Sequence, residues 1–509
     1  MIPITPRSGA VLAALAATLT LTGAELPGGP PSTGTPAGLG DRLYPDLGNP
    51  GYDVASYDIA FDYHGQDRPL DAVTRIEARA LAPLTGFHLD FANGTVQSVQ
   101  VNGRPATYTR EREELVVTPA EPVPAGGTLR ITVTHTSDPR AADSGWVRTA
   151  DGLAMANQAD AAHRVFPCND HPSDKAAFTF HVTAPGDLTV VANGVPDAVP
   201  TAVPAVAAPA GKAAPAGKAA RVPALTWTYR PANPMATELA QVSIGRSAVL
   251  RRSGPHGLPL RDVVGAADRD RLEARLAMTP GQVRWMEGQV GRYPFETYGI
   301  LSVDTTTGFE LETQTLSLFE RRVLLAPEHL AAPLMVHELA HQWFGDSVTP
   351  ATWSDVWLNE GHATWYEWLY SAEKYGVNLD EQVRAAYAVD TQVRKADGPP
   401  AAPLPPDQGK LGIFRSNVYG GGALALYALR QEIGAPAFQR LERAWVAGHR
   451  DGIVSTADFT ALASQVAGRD LGGFLQAWLY GAVTPPMPGH RDWVAGPART
   501  RASVAVKPA

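Results

Sequence analysis

The stretch VHELAHQWFGD contains two histidines four residues apart, with a glutamate directly after the first. On a helix, residues i and i+4 project from one face, so His337 and His341 could present two imidazoles to one metal ion. Two ordinary core or surface histidines are the alternative, and the presence of Glu338 favours the metal site. Pro333 is expected to open this helix and Gly345 to end it.

A catalytic zinc ion usually has three protein ligands and an open position for water, so a third ligand is needed. Glu360, in WSDVWLNEGHATW, is separated from His341 by eighteen residues, and a second helix packed antiparallel on the first would bring its carboxylate to the imidazoles. Two nitrogens and one oxygen predict a single Zn²⁺ ion, with manganese and cobalt as less favoured occupants. Asp346 and Asp355 are candidates for the acid that orients the free imidazole nitrogens.

Glu338 lies about 100° around the helix from His337, so it faces the same cleft without being a natural third ligand. Its predicted role is that of a general base, which takes a proton from a water whose pKa a bound zinc lowers to about 7 and passes it to the leaving amine. A surface glutamate without a catalytic role is the alternative.

The pattern along the chain predicts a multidomain α+β fold, because 509 residues exceed one ordinary core. Residues 51–246 show short alternating runs, such as YDVASYDIAFDY and LRITVTHT, which predict an all-β domain. An Ala/Pro/Gly/Lys-rich stretch at about 201–222 predicts a flexible loop inside it. Residues 247–485 show 3.6-residue periodicity and predict a mainly helical catalytic domain with a small sheet, and the polar tail 486–509 is expected to be loosely ordered.

Residues 1–24 have the layout of a secretory signal peptide, with one arginine, an apolar run and small residues near the expected cleavage site at Ala24. An uncleaved membrane anchor is the alternative, although the run is shorter than the ~18 apolar residues that a spanning helix needs. Residues 25–50 are rich in Pro, Gly, Ser and Thr and predict a disordered linker. We therefore expect a secreted protein without membrane contact after cleavage.

The composition indicates a globular protein rather than a nucleic-acid-binding one, since 44% of the residues are hydrophobic, 18% are charged and the net charge is -8. The single cysteine, Cys168, cannot form an intramolecular disulfide, and a small buried hydrophobe is favoured over a nucleophile. A monomer is expected.

The pattern His-Glu-x-x-His, eighteen residues and then Glu within WLNEG resembles the gluzincin zinc metallopeptidases of the aminopeptidase N family. RVFPCNDHPSDKAAFTF is similar to the Phe-Pro-Cys-x-Asp-x-Pro stretch of that family, and YPFETYG to its Tyr-Pro-Phe element. The resemblance implies a saddle-like β-sandwich domain followed by a thermolysin-like, mainly helical catalytic domain. The family's large C-terminal helical domain is not expected, because little chain follows Gly481.

An aminopeptidase must recognise a free α-amine, and because an amine is a cation the device should be a fixed carboxylate near the metal. The resemblance points to Glu312, in TTTGFELETQT, where the family has Gly-x-Met-Glu-Asn. Thr313 replaces the usual asparagine, and Glu310 is an extra carboxylate on the same side of an extended loop, which could bind the substrate or be solvated. Gln158, in MANQADAAHR, matches a glutamine that lines the first specificity pocket of the family.

Peptide hydrolysis develops negative charge that needs a hydrogen-bond donor, and in the family a tyrosine within Val-Tyr-x-x-Gly-Ala serves. SNVYGGGALAL matches and implicates Tyr419, with a core tyrosine as the alternative. The glycines that follow are poor in a helix interior, which places Tyr419 at a helix start. His362 stands where the family usually has phenylalanine; it should point away from the metal and is interpreted as a packing residue.

The resulting hypothesis is a secreted zinc aminopeptidase that removes N-terminal residues from peptides with a free N-terminus, one at a time. A zinc endopeptidase of the thermolysin type shares the metal ligands and does not need Glu312. A non-catalytic binding protein with the same fold is a second alternative, and an epoxide-opening hydrolase is a third.

Overall fold

The computed structural model describes residues 37–141, 143–197, 199–203, 222–406 and 412–496. The predicted signal peptide, 1–24, and most of the predicted 201–222 loop lie outside these residues. Among the described helices, none is long and apolar enough to cross a membrane.

The first part of the described chain is built from strands, as predicted. The strands are β1 Tyr52–Asp62, β2 Leu70–Ala80, β3 Phe87–Asp90, β4 Val96–Val101, β5 Arg104–Pro105, β6 Thr107–Glu111, β7 Glu114–Thr118, β8 Thr128–Ser137, β9 Trp146–Arg148, β10 Leu153–Met155, β11 Ala177–Pro185, β12 Thr189–Ala192, β13 Val195–Pro196, β14 Thr201–Ala202, β15 Ala224–Arg230 and β16 Val242–Gly245. The large sheet has the order β13-β15-β11-β1-β2-β8-β4-β5, with β14 also paired to β15. The smaller sheets have the orders β12-β16-β10-β9 and β3-β7-β6.

Side-chain alternation explains how this domain closes. In β1, Tyr57, Ile59 and Phe61 are buried while the residues between them are partly exposed. β1 pairs antiparallel with β2, where Tyr57 lies opposite Ile76, and parallel with β11. Because successive strand residues face opposite sides, the inward residues of these strands form one continuous apolar core.

The second part is mainly helical with a small sheet, which confirms the predicted fold class. Its strands are β17 Ser247–Ser253, β18 Pro259–Gly265, β19 Ile300–Val303, β20 Ser317–Glu320, β21 Thr349–Pro350 and β22 Ile453–Val454. Its helices are α1 Arg269–Leu276, α2 Thr279–Val290, α3 Arg321–Leu324, α4 Glu328–His341, α5 Trp357–Tyr375, α6 Leu379–Asp397, α7 Ser416–Ile433, α8 Ala435–Gly448, α9 Thr456–Ala467 and α10 Gly472–Tyr480. The sheet order is β17-β18-β19-β20.

The limits of helix α4 differ from the prediction. The helix begins at Glu328 after Pro327, so Pro333 lies inside it, because the buried pair Ala331 and Ala332 extends the packed face by a turn. At the other end the helix stops at His341, and Gly345, with a φ of 128°, lies in the turn that follows. In that turn the amide of Asp346 donates to the carbonyl of His341 at 3.0 Å.

Residues 37–50 are packed, so the prediction of a disordered linker is wrong for them. Leu43, Tyr44 and Leu47 are buried in the core of the catalytic domain. The carboxylate of Asp41 accepts a hydrogen bond from the backbone amide of Trp353 at 2.9 Å. The burial of these three apolar side chains stabilises the folded segment, although the residues around them have a composition typical of loops.

The first part of the predicted loose tail is also packed. Met487 and Trp493 are buried, and the Trp493 ring stacks on Tyr427 with centroids 6.1 Å apart. Residues 497–509 lie outside the described part of the chain.

Two glycines set the distance between α5 and α7. A Cβ atom added to Gly422 would lie 2.8 Å from the Cα of Gly361, which is closer than real Cβ atoms approach. Gly422, the last glycine of the run after Tyr419, therefore has a packing reason, since it lets the two helix backbones touch. As a result, Tyr419 in the first turn of α7 lies beside Glu360 in the first turn of α5.

Candidate metal centre

Helices α4 and α5 bring the three predicted metal ligands together. The Nε2 atoms of His337 and His341 each lie 3.5 Å from Oε2 of Glu360, and all three side chains are buried. One ligand atom from each residue lies within 4.8 Å of the others. The spacing predicted from the sequence thus converges on one point.

The hydrogen bonds of the Nδ1 atoms leave the Nε2 atoms of both histidines available as ligands. The Nδ1 atom of His337 lies 3.1 Å from Oε2 of Glu367, and that of His341 lies 3.2 Å from the carbonyl oxygen of Phe344. Both partners accept hydrogen bonds, so each Nδ1 carries the proton and each Nε2 lone pair is directed at Glu360. This is the second shell that metal-binding histidines need.

The structure contradicts both candidates for the acid that orients the imidazoles. Asp355 accepts from the backbone amide and hydroxyl of Thr456, and Asp346 makes no side-chain hydrogen bond among the described residues. The orienting acid is Glu367, seven residues after Glu360. Because seven residues are almost two full helical turns, Glu367 lies on the same face of α5 as Glu360, and this spacing could have been recognised in the sequence.

A divalent cation such as Zn²⁺ fits this donor set. Two imidazole nitrogens and one carboxylate are ligands of the catalytic zinc type, in which a fourth position stays open. Oε2 of Glu360 is buried and has no hydrogen-bond partner among the described residues. A buried carboxylate oxygen without a partner is costly, so a cation at this point would satisfy it.

Glu338 lies beside the ligands and not among them. Its carboxylate lines the cleft, and its Oε2 atom is buried without a hydrogen-bond partner in the described part of the chain. Ligand atoms of Glu312, Glu338 and His341 lie within 4.8 Å of one another. Burial raises the pKa of Glu338 to about 8, against the lowering effect of the two histidines. When ionised, a carboxylate with a raised pKa is a stronger base than an ordinary glutamate.

Glu312 and Gln158 meet at the same cleft from different domains. The Gln158 side-chain amide donates to Oε1 of Glu312 at 2.6 Å, and that oxygen lies 3.9 Å from Nδ1 of His341. Glu310 also lines the cleft, and its Oε1 atom is buried without a hydrogen-bond partner among the described residues. The alternation expected for this loop therefore places both carboxylates on the cleft side.

Tyr419 completes the cleft from the first turn of α7. Its ring stacks on His337, with centroids 5.9 Å apart and planes inclined by 23°. Burial, together with the charges of Glu360 and Glu312, raises the pKa of the Tyr419 hydroxyl well above its usual value. The hydroxyl therefore keeps its proton and remains a hydrogen-bond donor.

Comparison with known families shows where this site belongs. The family model described as "Peptidase family M1 domain" matches residues 276–478, and the "Peptidase M1 N-terminal domain" model matches residues 55–201. Together the two models span more than half of the chain. The chain belongs to peptidase family M1.

Named relatives and solved structures agree with this assignment. This chain is 27% identical over 338 residues to Aminopeptidase N of Streptomyces lividans. The aligned region covers 62% of this chain and 36% of that protein. Aminopeptidase M1 of Arabidopsis thaliana is 24% identical over 342 residues, covering 62% and 35%. The matches thus span about a third of the length of these curated relatives.

The solved structure of an M1 zinc metallopeptidase from Deinococcus radiodurans aligns with a TM-score of 0.73 at 27% identity, covering 89% of this chain and 98% of that one. A mutant of that protein, bound to a Tyr-Ser-Ala substrate, aligns with a TM-score of 0.74.

His362 is a packing residue in this M1 chain, as predicted. Its ring stacks on Phe344 with centroids 4.3 Å apart, and its Nδ1 atom lies 2.7 Å from the carbonyl oxygen of Leu358. Cys168 is a buried free thiol, which agrees with the interpretation as a small core residue.

Replacement of Glu367 by alanine should weaken metal binding, because the His337 ring loses the acceptor that fixes its tautomer. We expect zinc affinity to fall by about 10 to 100-fold, measured by competition with a chromogenic chelator. Glu373→Ala is the matched control, because it removes a carboxylate from the same helix that does not contact a metal ligand. The Glu373 carboxylate accepts a hydrogen bond from the indole N–H of Trp285 at 2.8 Å. Equal zinc affinity in the Glu367 variant and the wild type would show that Glu367 does not orient the ligand.

Proposed function

We propose that this protein is a zinc-dependent aminopeptidase, which hydrolyses the N-terminal peptide bond of peptides. The observation that carries the proposal is the buried Glu312 carboxylate, which Gln158 holds beside the metal ligands. A fixed carboxylate at that place can bind the ammonium group of a peptide N-terminus. The names of the relatives, and the peptide-bound neighbour, support the same reaction class.

The zinc ion that His337, His341 and Glu360 would hold supplies two things, a lowered pKa for water and polarisation of the substrate carbonyl. The protein supplies the geometry around it. The Nδ1 acceptors described above fix the imidazole rings, and burial of the three ligands excludes competing water.

Glu338 is the proposed general base. Its carboxylate accepts a proton from the attacking water and then donates that proton to the nitrogen of the leaving peptide. The group is held next to His341 and Glu312 and has a free oxygen in the cleft, so both transfers can occur at one atom. The proton balance closes, because the leaving amine carries away the proton that water lost.

Tyr419 is the proposed donor to the oxyanion that develops on the scissile carbonyl. Its ring stacks on the ligand His337, and its side chain lines the same cleft as Glu338 and Glu312. Because the raised pKa keeps this hydroxyl protonated, it can donate throughout the reaction. A donor aimed at developing charge stabilises the transition state more than the ground state.

Glu312 then sets the position of the cut. Its carboxylate and the metal ligands are fixed relative to each other, so only a peptide whose α-amine reaches Glu312 places its first peptide bond at the metal. An N-acetylated peptide offers no cation, and its acetyl group would meet a buried carboxylate. Loss of the pairing leaves that charge desolvated, which disfavours binding.

We also propose that the protein is secreted, which the layout of residues 1–24 supports. Expression of the full sequence in a secreting bacterial host should release a protein whose N-terminus lies near Ala24. Mass spectrometry of the released protein measures this directly. Released protein that still begins at Met1 would disprove cleavage.

Free-amine selectivity is tested with aminoacyl arylamides and their N-acetylated forms. We expect turnover of the free-amine compounds and at least ~10-fold lower kcat/KM for the acetylated ones, because a buried charge is left unpaired. Equal values for both would instead favour an endopeptidase of the thermolysin type.

Substitution of the proposed base separates an enzyme from a binding protein. Glu338→Gln preserves the shape of the side chain and removes its basicity, so kcat should fall by about 10²- to 10⁴-fold. Zinc content, measured by atomic absorption, should remain at one ion per chain, because Glu338 is not a ligand. An unchanged, near-background rate in both proteins would support the binding-protein alternative.

A further inference from the structure

Gln342 makes a clamp between the metal helix and the Glu312 loop. It directly follows the ligand His341 and is fully buried. Its Nε2 atom donates to the backbone carbonyl of Glu312 at 3.0 Å. Its Oε1 atom accepts from the backbone amide of Thr315 at 2.8 Å and from the hydroxyl of Tyr293 at 3.1 Å. One side chain thus holds both ends of the turn that carries the amine anchor.

The loop needs such a clamp because its backbone is strained. Thr315 has a φ of 67°, a left-handed conformation that β-branched residues rarely adopt. Two contacts hold it there: the bond from its amide to Gln342, and a bond from the Gly194 amide to its hydroxyl at 2.8 Å. Without the first contact, the turn can relax and carry Glu312 with it.

We propose that Gln342 is a positioning residue that sets the distance between the amine anchor Glu312 and the metal ligands, and thereby the selectivity for a free N-terminus. The inference rests on the aminopeptidase function proposed above. Because Gln342 and His341 are consecutive residues, the metal side of this distance is fixed by one peptide unit. The anchor side is fixed by the two hydrogen bonds to the loop.

The chemistry of the clamp requires an amide. The side chain must donate to one backbone carbonyl and accept from a backbone amide and a hydroxyl, which an amide of this length does without a change of protonation. A glutamate in its ionised form would keep the two accepted bonds and place a carboxylate oxygen against the carbonyl of Glu312. A methionine of similar volume would lose all three bonds.

The test compares Gln342→Met and Gln342→Glu with a matched control, Gln282→Met. Gln282 is also a buried glutamine, and its amide donates to the carbonyl of Ala332 in the same helix α4 at 3.0 Å, away from the loop. Three quantities are measured for each protein: kcat/KM for a leucyl arylamide, the inhibition constant of free L-leucine, and zinc affinity by chelator competition.

We expect both Gln342 variants to lose about 10²-fold in kcat/KM, because a substrate displaced by about 1 Å from the catalytic groups can react that much more slowly. L-Leucine should inhibit them correspondingly less, because its amine no longer meets the anchor. Zinc affinity should stay at the wild-type value, and the Gln282 variant should keep all three quantities even if its melting temperature falls.

Wild-type kcat/KM and leucine inhibition in both Gln342 variants would overturn the positioning role. A parallel loss of zinc affinity would also overturn it, since Gln342 would then act through His341. If Gln342→Met does not fold, the nearly isosteric Gln342→Glu decides. Failure of the proposed function is seen separately, because it appears in the wild type as equal turnover of free and acetylated substrates.

Discussion

Three buried carboxylates in one cleft are the constraint on which the site depends. Glu312, Glu338 and Glu360 are all withdrawn from water, and a buried charge without a partner is strongly unfavourable. Both imidazoles lie beside Glu360, and the Gln158 amide donates to Glu312. Buried negative charge of this kind favours a bound cation, and the geometry offers two places for one: between the ligands on α4 and α5, and at Glu312 beside Gln158. Under the proposed function, a metal ion and a substrate ammonium group satisfy these two needs.

The two needs are met by different parts of the molecule. The metal ligands, the proposed base and Tyr419 all lie on helices α4, α5 and α7 of the catalytic domain, and the contact between α5 and α7 depends on Gly361 and Gly422. The proposed amine anchor, Glu312, lies at the interface of the two domains, where residues of the β domain contact its loop. The side-chain amide of Asn193 donates to the carbonyl of Gln314 at 2.6 Å, next to the Gly194 contact described above. The groups proposed for bond hydrolysis and the carboxylate proposed to bind the N-terminus thus have separate structural supports.

The sequence predicted what helix geometry determines and missed what tertiary packing determines. His337, His341 and Glu338 follow from the 3.6-residue turn, and Glu360 follows from the ligand count of a catalytic zinc. Glu367 could also have been predicted, because it lies seven residues after Glu360 on the same helix. The assignment of Gln158, Glu312 and Tyr419 came from family resemblance, because nothing in their local pattern links residues so distant in sequence. The packed segment 37–50 was missed because composition averages conceal its three buried apolar residues.

The β domain also contacts the turn that follows the metal helix α4. Lys175 reaches from it into the catalytic domain, where its partly buried ammonium donates to the carbonyls of Asp346 at 2.7 Å and Ser347 at 3.0 Å. These carbonyls belong to the turn directly after the metal helix, and the Asp346 amide bonds back to His341. A cation at a helix C-terminus is favourable, and burial strengthens its interaction with the carbonyls. The β domain therefore contacts both sides of the cleft, the anchor loop through Asn193 and Gly194 and the end of the metal helix through Lys175. The distance between the proposed amine anchor Glu312 and the metal ligands is consequently a property of the domain interface as well as of the catalytic domain.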